Sequence, residues 1–247
     1  MDEVEVVVAH RERATLRVGD VFLKVDGDPD RTAVEVTAMA LAPVPTPQVL
    51  WCTPPVLALA AVPGAPLARL GHRAVSPPAA WAAAGAAVRR LHDAPLPPWT
   101  APDADAVAER LDRECAWITA HDLLPSDLVQ RNRDVARAVL RPWTPVFTHG
   151  DLQPGHVFVA DDAVTGVIDW SEAARGDAAF DLAVLTLGFE EHLPAVLDGY
   201  GGDVDVDAVR GWWSWRSLTA VPWLVQHGFD PFAPGCEVDV LRARARA

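Results

Sequence analysis

The segment from residue 147 to residue 182 constrains this chain more than any other. It holds two short apolar runs, 157–159 and 164–168, separated by Asp161-Asp162, a pair suited to a tight turn. A carboxylate is tied to each run: Asp151 on the approach to the first, Asp169 at the end of the second. A hairpin this short brings its outer ends together, so Asp151 and Asp169 are expected to share one small site. The approach cannot be a regular strand, because Gly150 and Pro154 interrupt it. It reads as a loop that presents a side chain. Two neighbouring carboxylates can divide labour: one orients a hydroxyl and receives its proton, the other holds a divalent cation. That is the chemistry of phosphoryl transfer. A serine hydrolase is a poor match, since the sequence contains no G-x-S-x-G elbow.

A wider pattern surrounds these carboxylates. His149-Gly150-Asp151 is followed by Ile168-Asp169-Trp170, Gly176-Asp177 and Asp181-Leu182-Ala183. In that combination the chain resembles the aminoglycoside phosphotransferase-like family, small-molecule kinases with a protein-kinase-like fold. The resemblance implies an α+β protein of two lobes. Residues 1–63 would form a nucleotide-binding lobe, a small antiparallel sheet with one helix. Residues 64–247 would form a mainly helical lobe that carries the catalytic hairpin and binds the acceptor. It also implies Asp151 as catalytic base and Asp169 as a Mg2+ ligand. ATP or GTP would be the donor, and a small hydroxylated molecule the acceptor, such as a cationic antibiotic or a biosynthetic intermediate. A catalytically weak pseudokinase that binds a ligand or partner is the alternative.

One position departs from the family pattern. Five residues after Asp151, where the family has a metal-binding Asn, stands His156. Asn offers a neutral oxygen that Mg2+ accepts readily, whereas imidazole suits Mn2+ or Zn2+ better. Three readings follow: His156 ligates a different ion such as Mn2+, it contacts a phosphate, or Asp169 is left as the one retained ligand.

Upstream, residues 4–8, 15–18 and 21–25 read as strands, the last two joined at Gly19-Asp20. Lys24, the one Lys in the chain, lies on the third, and Glu35 follows eleven residues later in a helical segment. A Lys among apolar strand residues needs a partner if buried. Kinase-like folds pair a strand Lys with a helix Glu to hold the α- and β-phosphates, and the resemblance gives these roles to Lys24 and Glu35. The connection 9–14 contains no glycine, so it lacks the close backbone approach to phosphates that a G-x-G-x-x-G loop provides. Its Arg11 and Arg13 could contribute charge there, or stand as ordinary surface residues, the expectation preferred. Further strands are expected at 48–52 and 56–62. Pro63-Gly64-Ala65-Pro66-Leu67 then resembles the family's link between lobes. By that analogy the backbone from Ala60 to Val62 reads the adenine edge.

The remainder reads as helix at 79–92, 103–121, 127–140, from near Asp181, 206–226 and 238–246. His92 and His149 read as architectural, Cys115 and Trp170 as packing, Gly176 and Asp177 as the capping turn of the next helix, and Asp177 and Asp181 as carboxylates that brace the catalytic loop. Trp212 and Trp215 share a helix face, and an exposed Trp in that helix is a candidate for stacking on an acceptor. Glu190, Glu191, Asp198, Asp203, Asp205 and Asp207 form an acidic cluster, readable as a solvated loop or as a rim for a cationic acceptor. A net charge of -13 excludes a typical nucleic-acid partner. Three scattered cysteines give neither a disulfide framework nor a structural zinc site. With no membrane-length apolar run and an acidic start, a soluble cytoplasmic protein, monomeric or homodimeric, is expected.

Overall fold

In the computed structural model, which describes residues 3–100 and 102–245, the alternating N-terminal segments build one antiparallel sheet. β1 (Val4–Ala9), β2 (Arg13–Val18) and β3 (Val21–Asp26) form a meander. The helix α1 (Pro29–Leu41) follows, then β4 (Val49–Thr53) and β5 (Val56–Ala60), giving the order β1-β2-β3-β5-β4. The register sets Lys24 between Thr15 and Leu57, in the interior of the sheet. Helix α1 starts before Glu35 because Asp28 caps it, accepting the Asp30 N–H at 2.9 Å, and Pro29 occupies a first-turn position that needs no N–H.

The chain leaves the sheet through β6 (Ala65–Pro66), which pairs with the central hairpin. Gly64 makes this possible: its φ is +92°, and a Cβ there would lie 2.4 Å from the Val159 carbonyl oxygen. The second lobe begins with α2 (Pro78–His92), α3 (Ala104–Ala120), α4 (Ser126–Val139) and β7 (Val146–Thr148). The hairpin follows as β8 (Val157–Ala160) and β9 (Ala163–Val167), then β10 (Ala174–Gly176), which pairs with β7. Asp161 and Asp162 both take positive φ, 48° and 58°, as a two-residue turn with the right twist requires. Helices α5 (Ala178–Thr186), α6 (Leu193–Tyr200), α7 (Val206–Gln226) and α8 (Glu237–Arg244) complete the lobe. This is the expected α+β, protein-kinase-like architecture of two lobes. The expected end of the last helix, residue 246, lies outside the described residues.

Two details differ from the sequence reading. Helix α5 starts at Ala178 rather than near Asp181, because Asp177 caps it through the Ala179 N–H. Asp177 also accepts the Trp212 indole N–H at 2.8 Å, so it braces α7 and not the catalytic loop. Helix α7 is the keel of the second lobe, with Trp212, Trp213 and Trp215 all buried. Trp212 and Trp215 meet edge to face at 5.5 Å, as their shared face predicts. Only Trp223, of the four Trp residues on this helix, is substantially exposed. Cys115 is buried in the core, and burial pushes its thiol up to about 12. No helix among the described residues is long and apolar enough to cross a membrane.

Candidate active site

The loop before β8 is built to be rigid. Gly150 has φ +84°, and a Cβ there would lie 2.0 Å from the Glu172 carbonyl oxygen, so no other residue fits. Asp181, fully buried on α5, accepts the backbone N–H groups of His149 at 2.7 Å and Gly150 at 3.0 Å. His92 donates to the same carboxylate at 3.2 Å and meets the Tyr200 hydroxyl at 3.0 Å. His149 donates from Nε2 to the Ile168 carbonyl at 2.9 Å and accepts the Asp151 N–H on Nδ1 at 3.3 Å. That pattern needs the neutral imidazole, and burial, the largest influence, lowers its pKa accordingly. His149 thus ties the residue before Asp169 to Asp151. The architectural readings of His92, His149 and Asp181 correspond to these bonds. Trp170, fully buried, packs against the His149 ring.

The hairpin does bring the two carboxylates together, with His156 between them. His156 donates from Nδ1 to the Asp151 carbonyl at 2.8 Å. Its Nδ1 is 3.9 Å from one Asp151 carboxylate oxygen, and its Nε2 is 3.9 Å from Asp169 Oδ2. With Nδ1 donating to the carbonyl, the ring turns Nε2 toward Asp169. Asp169 itself has φ +65° and ψ +63°, a left-handed backbone that is uncommon outside glycine and gathers at functional sites.

Cations hold both carboxylates ionised. Lys24 Nζ lies 2.6 and 2.7 Å from the two Glu35 oxygens and 2.9 Å from Asp169 Oδ1. The strand Lys and helix Glu are therefore paired, and the pair reaches the hairpin. Arg13 reaches Asp169 Oδ1 at 3.1 Å, Asp26 at 3.0 Å and the Ser171 hydroxyl at 2.8 Å. The expectation that Arg13 lies on the surface is wrong: the loop spans only residues 10–12, and Arg13 opens β2 with its side chain 12% exposed. Burial pushes the Asp169 carboxyl up, but Lys24, His156 and Arg13 outweigh it and hold it well below the usual carboxylate range. Asp151 follows the same logic: burial raises it, while Arg216, 3.0 Å away on α7, and His156 pull it lower still. Gln153 also donates to both Asp151 oxygens, at 3.2 and 3.1 Å. Glu35 differs, since burial exceeds the pull of Lys24 and its pKa is raised. Arg216 was missed in the sequence, where only its place four residues after Trp212 marks it.

The donor set fits a divalent cation. Asp169 Oδ2 is free of Lys24, and it faces Nε2 of His156. An oxygen and a nitrogen so placed suit an ion that accepts mixed ligands. At the link between lobes, Ala60 donates its N–H to the Gln48 carbonyl at 2.9 Å. Part of the acidic cluster is engaged in ion pairs. Glu190 pairs with Arg244, Asp207 with Arg210, and Asp205 pairs with Arg141 while capping α7.

A strand Lys paired with a helix Glu, above a loop Asp and a second Asp at the end of a hairpin, defines a protein-kinase-like fold. The sequence profile of the phosphotransferase enzyme family matches residues 9–218, and the chain belongs to that family. It is similar in structure to a macrolide 2'-phosphotransferase from Brachybacterium faecium, with 23% identity over 98% of this chain and 91% of that one, at a TM-score of 0.67. A GDP complex of aminoglycoside 2'-phosphotransferase-IIIa aligns at a TM-score of 0.74 and 17% identity, over 99% and 92% of the two chains. A choline/ethanolamine kinase family protein from Mesorhizobium loti aligns at 0.71 and 19%, over 99% and 87%.

Proposed function

We propose that this protein moves the γ-phosphoryl group of ATP or GTP to a hydroxyl of a small molecule. The observation that carries the reading is the pair of ionised carboxylates, Asp151 and Asp169, set on either side of His156 and joined to the Lys24–Glu35 pair. Residues 1–63 are the nucleotide lobe and residues 64–247 the catalytic and acceptor lobe. Lys24 binds the α- and β-phosphates, and Glu35 fixes its position. The Val62 backbone and the Ala60 carbonyl meet the base. Asp151 orients the acceptor hydroxyl and takes its proton on a carboxylate oxygen. Asp169 and His156 hold Mg2+ or Mn2+, which when bound offsets the charge of the phosphates.

Charge at the base bears on the acceptor. Arg216 touches Asp151, and Arg110 lies over the Trp215 ring at 5.3 Å, close enough to Arg216 to lower its own pKa, after burial. In the 190–207 cluster, Glu190, Asp205 and Asp207 are taken up by Arg244, Arg141 and Arg210. An acceptor that is neutral or bears an anionic group fits better than a polycation. The names of the solved relatives do not choose among acceptors at these identities.

The test is nucleotide turnover with a panel of hydroxylated acceptors, neutral, anionic and cationic, and with Asp151→Asn as the comparison. The variant should keep the fold and lose on the order of 10²–10⁴ in turnover. Equal turnover in variant and wild type would remove Asp151 from its role. A cationic acceptor used best would overturn the reading of charge.

A further inference from the structure

A second cluster of ligating side chains lies outside the active site. His10 and Glu12 sit on the connection between β1 and β2, and His227 caps the C-terminal end of α7. One ligand atom from each lies within 4.8 Å of the others. The three line a cavity of about 340 Å³ together with Arg11 and Gln226. The cavity thus joins the first lobe to the second.

The chemistry of this cluster is that of a transition-metal site. His227 donates from Nδ1 to the Trp223 carbonyl at 2.7 Å, which fixes the ring and leaves Nε2 with a lone pair, 3.8 Å from a Glu12 oxygen. A backbone carbonyl orienting the far nitrogen is the usual support of a metal-bound imidazole. Trp223 stacks on His227 at 4.2 Å and meets His10 edge-on at 5.4 Å, so the rings are packed in place. The imidazoles of His10 and His227 stand nearly perpendicular, 5.2 Å between centroids. His10 Nδ1 accepts the Glu12 N–H at a long 3.3 Å, a bond cheap to give up. Bonds of about 2.0–2.1 Å to a tetrahedral ion set ligand atoms roughly 3.3–3.5 Å apart. The ligand atoms, which stand within 4.8 Å of one another, therefore have to draw closer when an ion binds.

We infer that His10, Glu12 and His227 form a zinc site that clips the β1–β2 connection to α7. Two imidazoles and one carboxylate are a borderline donor set that Zn2+ takes with a fourth position open to water, and that Mg2+ does not. The clip is a structural consequence of where the ligands sit: two are on the loop above the nucleotide lobe, and one is on the helix that carries Arg216. Binding of the metal is independent of the proposed phosphotransferase reading. Its effect on loop motion is tested separately.

The experiment is titration of metal-stripped full-length protein with Zn2+ by calorimetry, and with Co2+ by visible spectroscopy. The background is Asp169→Asn, so that the active-site carboxylate does not contribute. One equivalent should bind, and Co2+ should give the intense d–d bands of four-coordination. His10→Ala and His227→Ala should each weaken Zn2+ by at least the roughly 10–100-fold that loss of even an outer-shell partner costs. Glu12→Gln should weaken it less. Limited trypsin digestion reads the clip: Zn2+ should slow cleavage after Arg11 in the parent and not in His227→Ala. No binding, equal binding in all variants, or a weak six-coordinate Co2+ spectrum would overturn the site. Binding without protection at Arg11 would overturn the clip.

Discussion

Replacing Lys24 by Met tests whether the polar centre behaves as a buried network. The Lys24 and Glu35 side chains are 11% and 4% exposed, and Lys24 Nζ meets both Glu35 oxygens and Asp169. Met fills a similar volume, so charge is the main loss. Asp169 keeps Arg13, whereas Glu35 loses the group that binds both its oxygens. Removing one partner of a buried ion pair costs about 3–5 kcal/mol. Protonation sets a ceiling: neutralising a carboxylate of ordinary Glu pKa at pH 7 costs about 3.7 kcal/mol. The expected loss at neutral pH is therefore about 3–4 kcal/mol. Its pH dependence has a definite sign. Burial already raises the Glu35 pKa against the pull of Lys24, and the variant removes that pull. A carboxyl with a raised folded pKa binds more protons folded than unfolded, so stability falls as pH rises between the unfolded and folded values. The loss should be smaller at pH 5 than at pH 7.5. The assay is urea unfolding at both pH values for wild type, Lys24→Met and Lys24→Met/Glu35→Gln. The double variant should recover most of the loss in stability but not nucleotide affinity. A loss below about 1 kcal/mol, typical of a surface pair, or one that ignores pH, would refute the argument.

Two other perturbations read the catalytic side. In Arg216→Gln the cation that most lowers Asp151 is gone, so its carboxyl titrates higher; because Asp151 acts ionised, the acidic limb of the pH profile of kcat/KM should move to higher pH. The same variant should raise KM for an anionic acceptor, by the roughly 1.5–3 kcal/mol of a hydrogen bond to a charged group, and an unmoved limb and KM would count against both roles. His156→Asn should shift preference from Mn2+ toward Mg2+, both in turnover and in Mn2+ binding followed by electron paramagnetic resonance. Equal preference in variant and wild type would mean that His156 fills space and leaves the ion to Asp169.

What the sequence discloses about this molecule follows the range of the interactions. The hairpin was legible because Asp161 and Asp162 turn the chain locally and Asp151 and Asp169 lie just outside the paired residues. Lys24 and Glu35 were legible because one strand and one helix separate them. The Asp177 cap was legible too, but helix α5 starts directly after it, at Ala178, earlier than the expected start near Asp181. Arg13 and Arg216 belong to a different class. Arg13 is one of many arginines, and only pairing of β2 with β3 aims it at Asp26 and Asp169. Arg216 lies on a helix that is buried on nearly every side, so periodicity does not say which face meets the loop. His10, Glu12 and His227 come together only through packing between distant parts of the chain, and no spacing rule reaches across that distance.

The missing glycine loop and the buried Arg13 have one physical explanation on the proposed reading. Without glycine, the β1–β2 connection does not bring a row of backbone N–H groups close to a phosphate. Positive charge for the nucleotide then has to come from side chains, and Arg13 and Lys24 both converge on Asp169. These cations are committed: Arg13 is shared by Asp26 and Asp169, and Lys24 by Glu35 and Asp169. A phosphate entering alone has to compete with Asp169 for them. A divalent cation entering alone has to compete with them for Asp169. When both arrive together each exchange offsets the other, because the ion takes over the carboxylate as the side chains turn to the phosphates. The network therefore favours joint occupancy by metal and nucleotide over either one separately, and His156, facing the Asp169 oxygen that Lys24 does not touch, stands where that exchange begins.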